Sequence, residues 1–227
     1  MARYALQITP VGRTIPSETI FMLSKHGRKF FSEPLGKLVP LMEASGVTPN
    51  GLTVIGFLLT VITAVVLGSG ALRLGGLMLS VAALFDMLDG KLARATGQSS
   101  LFGAFFDSTI DRYAEGATLL ALVYYYSGLP DGRTAIILLF VTLIGSLMVS
   151  YTRARAEGLG VECNSGIMQR PERVVILIAG LITGWMIPVL WVLAIMTNVT
   201  VAQRIYEVYR RSRVTEDESS STQNEMV

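Results

Sequence analysis

Uncharged, apolar stretches alternate with short charged ones along most of this chain. Residues 44–72, 134–152 and 174–203 contain no Asp, Glu, Lys or Arg and are rich in Leu, Val and Ile. A helix of roughly 20 apolar residues is long enough to cross a bilayer. The last stretch exceeds one span and is interrupted at Gly184 and Pro188, so it predicts one helix on each side of that break.

This pattern predicts an all-α membrane protein with six transmembrane helices. The first begins at the turn around Pro49, where Asn50 can cap it. The second runs from about Gly75 into a charged segment, and the third begins near Gly103. Residues 134–152 form the fourth helix, and the interrupted stretch supplies the fifth and sixth.

The two ends of the chain differ from this central part. Residues 1–46 mix apolar side chains with Lys and Arg, which predicts an amphipathic segment on the cytoplasmic surface of the membrane. A packed helix outside the bilayer would give the same pattern. Residues 47–211 form the six-helix membrane domain. Residues 212–227 are polar and acidic, so we expect a disordered cytoplasmic tail there.

The distribution of Lys and Arg orients the predicted spans. Basic residues cluster on one side, before Pro49, at Lys91 and Arg94, from Arg153 to Arg173 and from Arg204 onward, whereas the opposite loops carry only Arg73 and Arg133. This asymmetry follows the positive-inside rule. It predicts a multi-pass protein of the cell membrane whose charged segments face the cytoplasm.

Composition agrees with a membrane protein. Of 227 residues, 51% are hydrophobic and 16% are charged, whereas a soluble domain usually carries about 25% charged residues. The net charge of +2 gives no indication of a nucleic-acid partner. The single Cys163 excludes an internal disulfide and a cysteine metal cage. We interpret Cys163 and the lone His26 as incidental.

Four carboxylates interrupt the apolar background: Asp86, Asp89, Asp107 and Asp111. An unpaired charge in the bilayer core costs at least about 2.5 kcal/mol, so something must compensate them. Residues three or four apart share a helix face, and two antiparallel helices joined across residues 95–102 would bring both pairs to one point. Oxygen ligands favour Mg²⁺, Mn²⁺ or Ca²⁺ over Zn²⁺ or copper. A carboxylate cluster that bridges two such ions suits displacement at phosphorus.

Small residues beside the acids agree with a ligand site. Gly90, Ala93 and Gly103 leave room for close helix approach or for a bulky ligand. Arg94 follows Gly90 by one turn and could clamp a phosphate. Intramembrane ion pairs with neighbouring Lys and Arg side chains are the alternative interpretation. They would neutralise most of the carboxylates but would not explain the glycines.

The order D-x-x-D-G-x-x-A-R, eight residues, then G-x-x-x-D-x-x-x-D resembles the signature of the CDP-alcohol phosphatidyltransferase family, and every fixed position is matched. The resemblance implies a six-helix membrane enzyme that transfers a phosphatidyl group from a CDP-linked lipid, CDP-diacylglycerol or CDP-archaeol, to an alcohol and releases CMP. It implies two divalent ions, Mg²⁺ or alternatively Mn²⁺, held by Asp86, Asp89, Asp107 and Asp111, with Asp111 as the base. The family also suggests a homodimer.

The same resemblance assigns residues to the nucleotide. The segment from Thr48 to Thr53 is similar to the family's entry to its first helix, which implies that Pro49, Asn50, Gly51 and Leu52 help to hold the cytidine. It further implies that Gly90, Arg94 and Ser100 lie close to the nucleotide and its phosphates.

Arginines at the ends of the later spans form a second polar group. Arg153, Arg170 and Arg173 adjoin spans and Arg204 ends the last one, and a basic pocket beside a metal site suits a phosphorylated acceptor. Plain topology signals and snorkelling to headgroups remain alternatives. The runs Tyr-x-Arg-Ala-Arg-Ala-Glu, Arg-Pro-Glu-Arg and Gln-Arg resemble the branch of the family that uses inositol 1-phosphate. By that resemblance, Arg153, Arg173 and Arg204 grip the acceptor's phosphate.

Two other functions stay open on the sequence. Glycerol 3-phosphate also carries a phosphate, and the arginines alone do not exclude it as the acceptor. A divalent-cation transporter would use the acidic cluster as its ion path. That function predicts internal repeats, which we do not find, and Arg94 beside the cluster would repel cations.

Overall fold

The computed structural model describes residues 47–225, with side chains up to residue 213, and its regular structure in that range is entirely helical. The helices are α1 (Pro49–Gly68), α2 (Leu72–Ala95), α3 (Leu101–Ser127), α4 (Arg133–Gly158), α5 (Arg170–Thr183) and α6 (Met186–Glu225). The predicted all-α class is therefore confirmed. The amphipathic segment predicted for residues 1–46 lies outside the described residues.

Local sequence explains where α1 and α5 begin and end. Pro49 occupies the first turn of α1, where its fixed φ suits a helix. The capping residue is therefore Thr48, and the sequence-based assignment of the cap to Asn50 is wrong. The Thr48 side chain accepts a hydrogen bond from the Gly51 N–H at 3.2 Å. Helix α5 ends at Gly184, whose φ of 82° is readily available only to glycine.

Three helices are long and apolar enough to cross a membrane: α1, α4 and the part of α6 from Met186 to Arg213. Their outward faces carry exposed apolar side chains, such as Val65 at 71% and Ile144 at 58% exposure. Helices α2 and α3 carry the charged motif, and α5 has only 14 residues, roughly 21 Å. The count of six spans therefore stays a prediction.

The core that positions the site is made of leucines from several helices. Leu67, Leu122, Leu139, Leu181 and Leu190 are fully buried in one cluster. Around it, α1 packs on α2 and α3, α4 packs on α3 and α6, and α5 packs on α2 and α6. Between membrane helices such leucines stabilise by van der Waals packing, so this cluster holds the helices that carry the polar groups in fixed positions.

Helix α5 lies unusually close to α2. A Cβ atom on Gly76 would be 2.9 Å from the Leu181 Cβ, which is closer than a side chain tolerates. At the other end of this contact, Asp86 of α2 meets Arg170 of α5. The two helices therefore run antiparallel, and the glycine allows α5 to bring its first residue to the acidic part of α2.

Helix α6 is one element that continues to Glu225, through the segment for which the sequence predicts disorder. Residues 205–225 contain neither Pro nor Gly, so no residue type that interrupts helices follows the apolar part. The proposed domain boundary between residues 211 and 212 thus falls inside a continuous helix.

Candidate active site

Three of the four predicted metal ligands meet at one point. Asp86 and Asp89 on α2 and Asp107 on α3 each offer a carboxylate oxygen, and these oxygens lie within 4.8 Å of one another. In the described part of the chain, no ion pair within 4 Å joins Asp89 or Asp107 to a cation. The three carboxylates repel one another. Such a cluster of oxygen ligands fits a hard divalent cation, which would remove that repulsion.

The fourth predicted ligand, Asp111, is held by an arginine. Its Oδ1 lies 2.8 Å from Nη2 of Arg170, whose Nη1 is 2.6 Å from Oδ2 of Asp86. Arg112, the next residue on α3, is 3.7 Å from the other Asp111 oxygen. Asp111 therefore pairs with Arg170 of α5, and the same arginine links it to Asp86 of the group of three.

Asp89 is the most constrained member of the three. It is 5% exposed, and it accepts hydrogen bonds from the Thr53 hydroxyl at 2.7 Å and from the backbone N–H of Gly90. Thr53 belongs to α1, so three helices contribute to the cluster. Hydrogen bonds of this kind fix the direction in which a carboxylate presents its remaining lone pairs.

The nucleotide residues implied by the sequence gather where α1 and α3 begin. Ser100 caps α3 by accepting from the Gly103 N–H at 2.9 Å. A Cβ on Gly103 would lie 3.3 Å from the Asn50 side-chain oxygen. Pro49, Asn50, Gly51 and Leu52 form the first turn of α1. Two helix N-termini, which favour anions, thus lie side by side.

Gly90 and Arg94 form a separate contact on α2. A Cβ on Gly90 would lie 3.5 Å from Nη1 of Arg94, so the guanidinium lies against the bare backbone of the glycine. Arg94 is exposed. It is therefore free of packing constraints that would prevent its reaching a phosphate near the acids.

The three arginines assigned to the acceptor differ in their surroundings. Arg173 is 3% exposed and forms a bidentate pair with Glu115, at 2.7 and 2.8 Å. Arg204 is equally buried, and it donates to the carbonyl oxygens of Ser165, at 2.9 Å, and of Val149.

Arg153 is exposed and pairs with Glu157 one turn away, at 2.8 Å. Both Arg153 and Arg173 lie close enough to Arg204 to repel it electrostatically. The structure therefore brings the three arginines into one positive region.

Sequence reasoning missed three residues of this site. Arg170 was grouped only with the arginines of the acceptor region, and Glu115 and Thr53 were given no role, although each contacts a residue that was given one. Two signals were available. Glu115 follows Asp111 by one turn, and Arg170 and Arg173 are three apart on one helix. Matching the two acids with the two arginines predicts both ion pairs between α3 and α5.

A cavity of about 160 Å³ lies among α1, α2, α3 and α5. Its walls combine apolar side chains, among them Leu79, Leu119 and Leu177, with the polar groups of Asp86 and Arg170. An apolar space that meets a charged centre suits an amphiphilic molecule.

Cys163 takes no part in this site. It is fully buried in the segment between α4 and α5. Burial raises the pKa of its thiol, which keeps it protonated and unreactive.

The fold and the site define a class of protein. Its helices carry apolar outward faces, and their interior holds an acidic cluster suited to a divalent metal. The sequence model described as CDP-alcohol phosphatidyltransferase matches residues 46–204. The chain belongs to this family and is a transferase. The alternative of a cation transporter thereby loses its basis.

Named relatives and solved structures agree with this assignment. The chain is 41% identical over 192 residues to the archaetidylinositol phosphate synthase of Pyrococcus horikoshii, covering 84% of this chain and 98% of the relative. It is 36% identical over 189 residues to the phosphatidylinositol phosphate synthase of Mycobacteroides abscessus, covering 80% and 86% respectively.

Crystal structures of Mycobacterium tuberculosis phosphatidylinositol phosphate synthase superpose on the fold at 30% identity. The structure with CDP-DAG bound gives a TM-score of 0.72 and covers 77% of this chain and 93% of that one. The complex with manganese and citrate gives a TM-score of 0.73, with coverage of 77% and 88%.

Proposed function

We propose that this transferase moves the phosphatidyl or archaetidyl group of a CDP-linked lipid onto inositol 1-phosphate and releases CMP. The observation that carries the acceptor assignment is the positive region formed by Arg153, Arg173 and Arg204. The names of the relatives from Pyrococcus and Mycobacteroides support the same acceptor.

The positive region contains charge that its protein partners do not cancel. Glu115 neutralises Arg173, whereas Arg204 is bonded to two backbone carbonyls, which carry only partial charge. The carboxylate of Glu207 also acts on Arg204, but it is itself paired with Arg211. Arg153 pairs with Glu157 on an exposed surface, where such a pair is worth about 0–1 kcal/mol and is easily exchanged. A phosphate monoester carries the negative charge and the hydrogen-bond acceptor oxygens that complement these guanidinium groups.

We place two divalent ions, Mg²⁺ or Mn²⁺, on Asp86, Asp89, Asp107 and Asp111. Bound there, they would supply charge stabilisation for the pyrophosphate and for departing CMP. The mutual repulsion of three of these carboxylates supports such an assignment. The manganese complex of the Mycobacterium tuberculosis enzyme supports the use of a divalent metal.

The protein's own groups position and activate the reactants. The first turn of α1 and the Ser100 cap hold the cytidine, and Gly90 and Arg94 line the path of the phosphates. Asp111 accepts the proton of the acceptor hydroxyl. The hydroxyl oxygen then bonds to the β-phosphorus while the bond from that phosphorus to the bridging oxygen of CMP breaks.

We further propose that the enzyme is a homodimer in the cell membrane, with six spans and with the acidic cluster facing the cytoplasm. The positive-inside distribution supports that orientation, because the basic residues Lys91 and Arg94 follow Asp86 and Asp89 directly along the same helix. The cavity beside Asp86 supports access by a lipid from the bilayer.

The acceptor is tested directly by supplying the purified enzyme in liposomes with labelled CDP-diacylglycerol or CDP-archaeol. Inositol 1-phosphate, glycerol 3-phosphate and unphosphorylated inositol are offered in turn, with Mg²⁺ present. We expect lipid product and CMP with inositol 1-phosphate. Preferential product from glycerol 3-phosphate would overturn the acceptor assignment and leave the family assignment intact.

Replacing Arg153 with glutamine should raise the KM for inositol 1-phosphate about tenfold and leave the KM for the CDP-lipid unchanged. A charge-assisted hydrogen bond is worth about 1.5–3 kcal/mol, and its loss weakens binding by roughly that amount. Arg153 is the informative choice because it is exposed, whereas an acidic residue in place of Arg173 would face Glu115 in a buried site.

The matched control for this variant is Arg155→Gln. Arg155 is also exposed on α4, but it is two residues away and points to a different face. A general effect of surface charge would alter both variants equally. Equal KM values for the acceptor in wild type and Arg153→Gln would remove Arg153 from the pocket.

A further inference from the structure

One guanidinium joins two carboxylates from different helices at this site. The Nη1 and Nη2 atoms of Arg170 lie 2.6 Å from Asp86 and 2.8 Å from Asp111. Asp86 belongs to α2 and Asp111 to α3, while Arg170 is the first residue of α5. The arginine therefore closes the acidic site from the side of a third helix.

The shape of an arginine side chain suits this bridge. Its planar, forked guanidinium reaches two carboxylates at once, whereas a lysine ammonium is a single point of charge. A cation shared between Asp86 and Asp111 does for these two groups what a bridging divalent ion would do. A carboxylate held by a guanidinium at 2.6 or 2.8 Å has fewer lone pairs and less negative potential left for a second cation.

The arginine is incompletely satisfied in this position. Its Nε is buried and has no hydrogen-bond partner among the described residues. A buried donor without a partner costs free energy, which lowers the cost of leaving this conformation. Arg170 also lies at the junction of α5 and the preceding loop, where α5 has no side-chain cap. Its position can therefore change without disturbing a helix interior.

We propose that Arg170 is an internal counter-ion of the acidic site, which pairs with Asp86 and Asp111 in the absence of metal and withdraws when divalent ions bind. The inference rests on the metal assignment of the proposed function. In this arrangement the ion pairs of Arg170 and full metal occupancy exclude each other. The arginine stabilises the protein before the divalent ions bind.

Competition and simple structural support predict opposite results. If Arg170 competes with the metal, its removal tightens metal binding and destabilises the metal-free protein, because the carboxylates lose their counter-ion. If Arg170 instead holds Asp86 and Asp111 in the geometry that the metal requires, its removal weakens metal binding.

The test measures Mn²⁺ affinity of the full chain in detergent by calorimetry, without substrate, for wild type and Arg170→Gln. We expect at least about fivefold tighter binding in the variant, the lower end of ordinary coupling between sites. The thermal midpoint in chelator should fall, and saturating Mn²⁺ should narrow the difference from wild type. Arg170→Lys keeps the charge but not the bridge, so it should show a smaller increase in affinity.

Arg112→Gln is the matched control. Arg112 also lies near Asp111, at 3.7 Å, but it makes no bridge to Asp86. An equal increase in Mn²⁺ affinity in this control would show that removing any nearby positive charge has the same effect, and it would overturn the proposal. Unchanged or weaker binding in Arg170→Gln would overturn it as well. Absence of Mn²⁺ binding in the wild type would remove the metal from the proposed function, and the inference with it.

Discussion

Replacing Asp111 with asparagine should reduce transfer by at least about a hundredfold while leaving CDP-lipid binding nearly unchanged. General base catalysis typically contributes about 10²–10⁴ in rate, and an amide cannot accept the proton of the acceptor hydroxyl. Asparagine keeps the shape of the side chain and can still accept a hydrogen bond from Arg170. The measurement is kcat in liposomes, together with displacement of a fluorescent CDP-lipid for binding.

Two controls separate this role from structure. Asp131→Asn changes an exposed carboxylate in the turn between α3 and α4, so it should retain wild-type activity. Thermal unfolding of Asp111→Asn shows whether the weakened pair with Arg170 has destabilised the fold. Activity within tenfold of wild type in a well-folded Asp111→Asn protein would assign the proton to another group.

The sequence predicts most of this fold because its signals are local. An uncharged stretch, a proline in a first turn and a glycine at a helix end each act over a few residues, and the structure follows them at Pro49 and Gly184. The spacing of the acids is equally local. Asp86, Asp89 and Asp107 lie on two helices joined by a short connection, so few arrangements could keep them apart.

The remaining contacts of the site depend on which helices become neighbours. Arg170 meets Asp86 across 84 positions, and Arg173 meets Glu115 across 58. Helical periodicity tells which side chains share a face, but not which helix that face meets. An arginine at the end of an apolar stretch also looks like an ordinary topology signal. The sequence therefore predicts the four acids, but not the arginine that pairs with Asp111.

The number of membrane spans shows the same limit. Composition alone identifies α1, α4 and α6, whereas α2 and α3 carry acidic residues inside their length. Hydropathy cannot distinguish a spanning helix with a buried charged centre from a helix outside the membrane. The short α5 presents the opposite difficulty, since it is largely apolar but has only 14 residues.

Replacing Asp89 with asparagine should abolish the response of the protein to divalent metal and reduce transfer at least about a hundredfold. Metal stabilisation of charge is worth several kcal/mol, and each 1.4 kcal/mol is about tenfold in rate. The substitution also removes one of three repelling charges, so the metal-free variant should be at least as stable as wild type. A loss of activity without a loss of stability distinguishes this site from a structural role.

The measurement is thermal unfolding with and without Mn²⁺, together with activity. A ligand at 100 times its Kd stabilises the folded state by about 2.7 kcal/mol, and we expect that gain in wild type but not in Asp89→Asn. Equal stabilisation of both proteins by Mn²⁺ would place the metal elsewhere. Chelation of the wild type should likewise stop transfer, and Mn²⁺ or Mg²⁺ should restore it.

Thr53 provides a graded test of the same centre, because its hydroxyl donates to Asp89 at 2.7 Å without being a predicted ligand. Loss of such an outer hydrogen bond typically weakens metal affinity about 10–100-fold. Thr53→Val removes the hydroxyl at constant shape and should fall in that range, whereas Thr53→Ser keeps it and should resemble wild type. The loss of metal affinity should increase from Thr53→Ser to Thr53→Val to Asp89→Asn. This order is expected only if Asp89 binds the metal and Thr53 orients the Asp89 carboxylate. Equal affinities for Thr53→Val and Thr53→Ser would show that the hydroxyl does not orient the ligand.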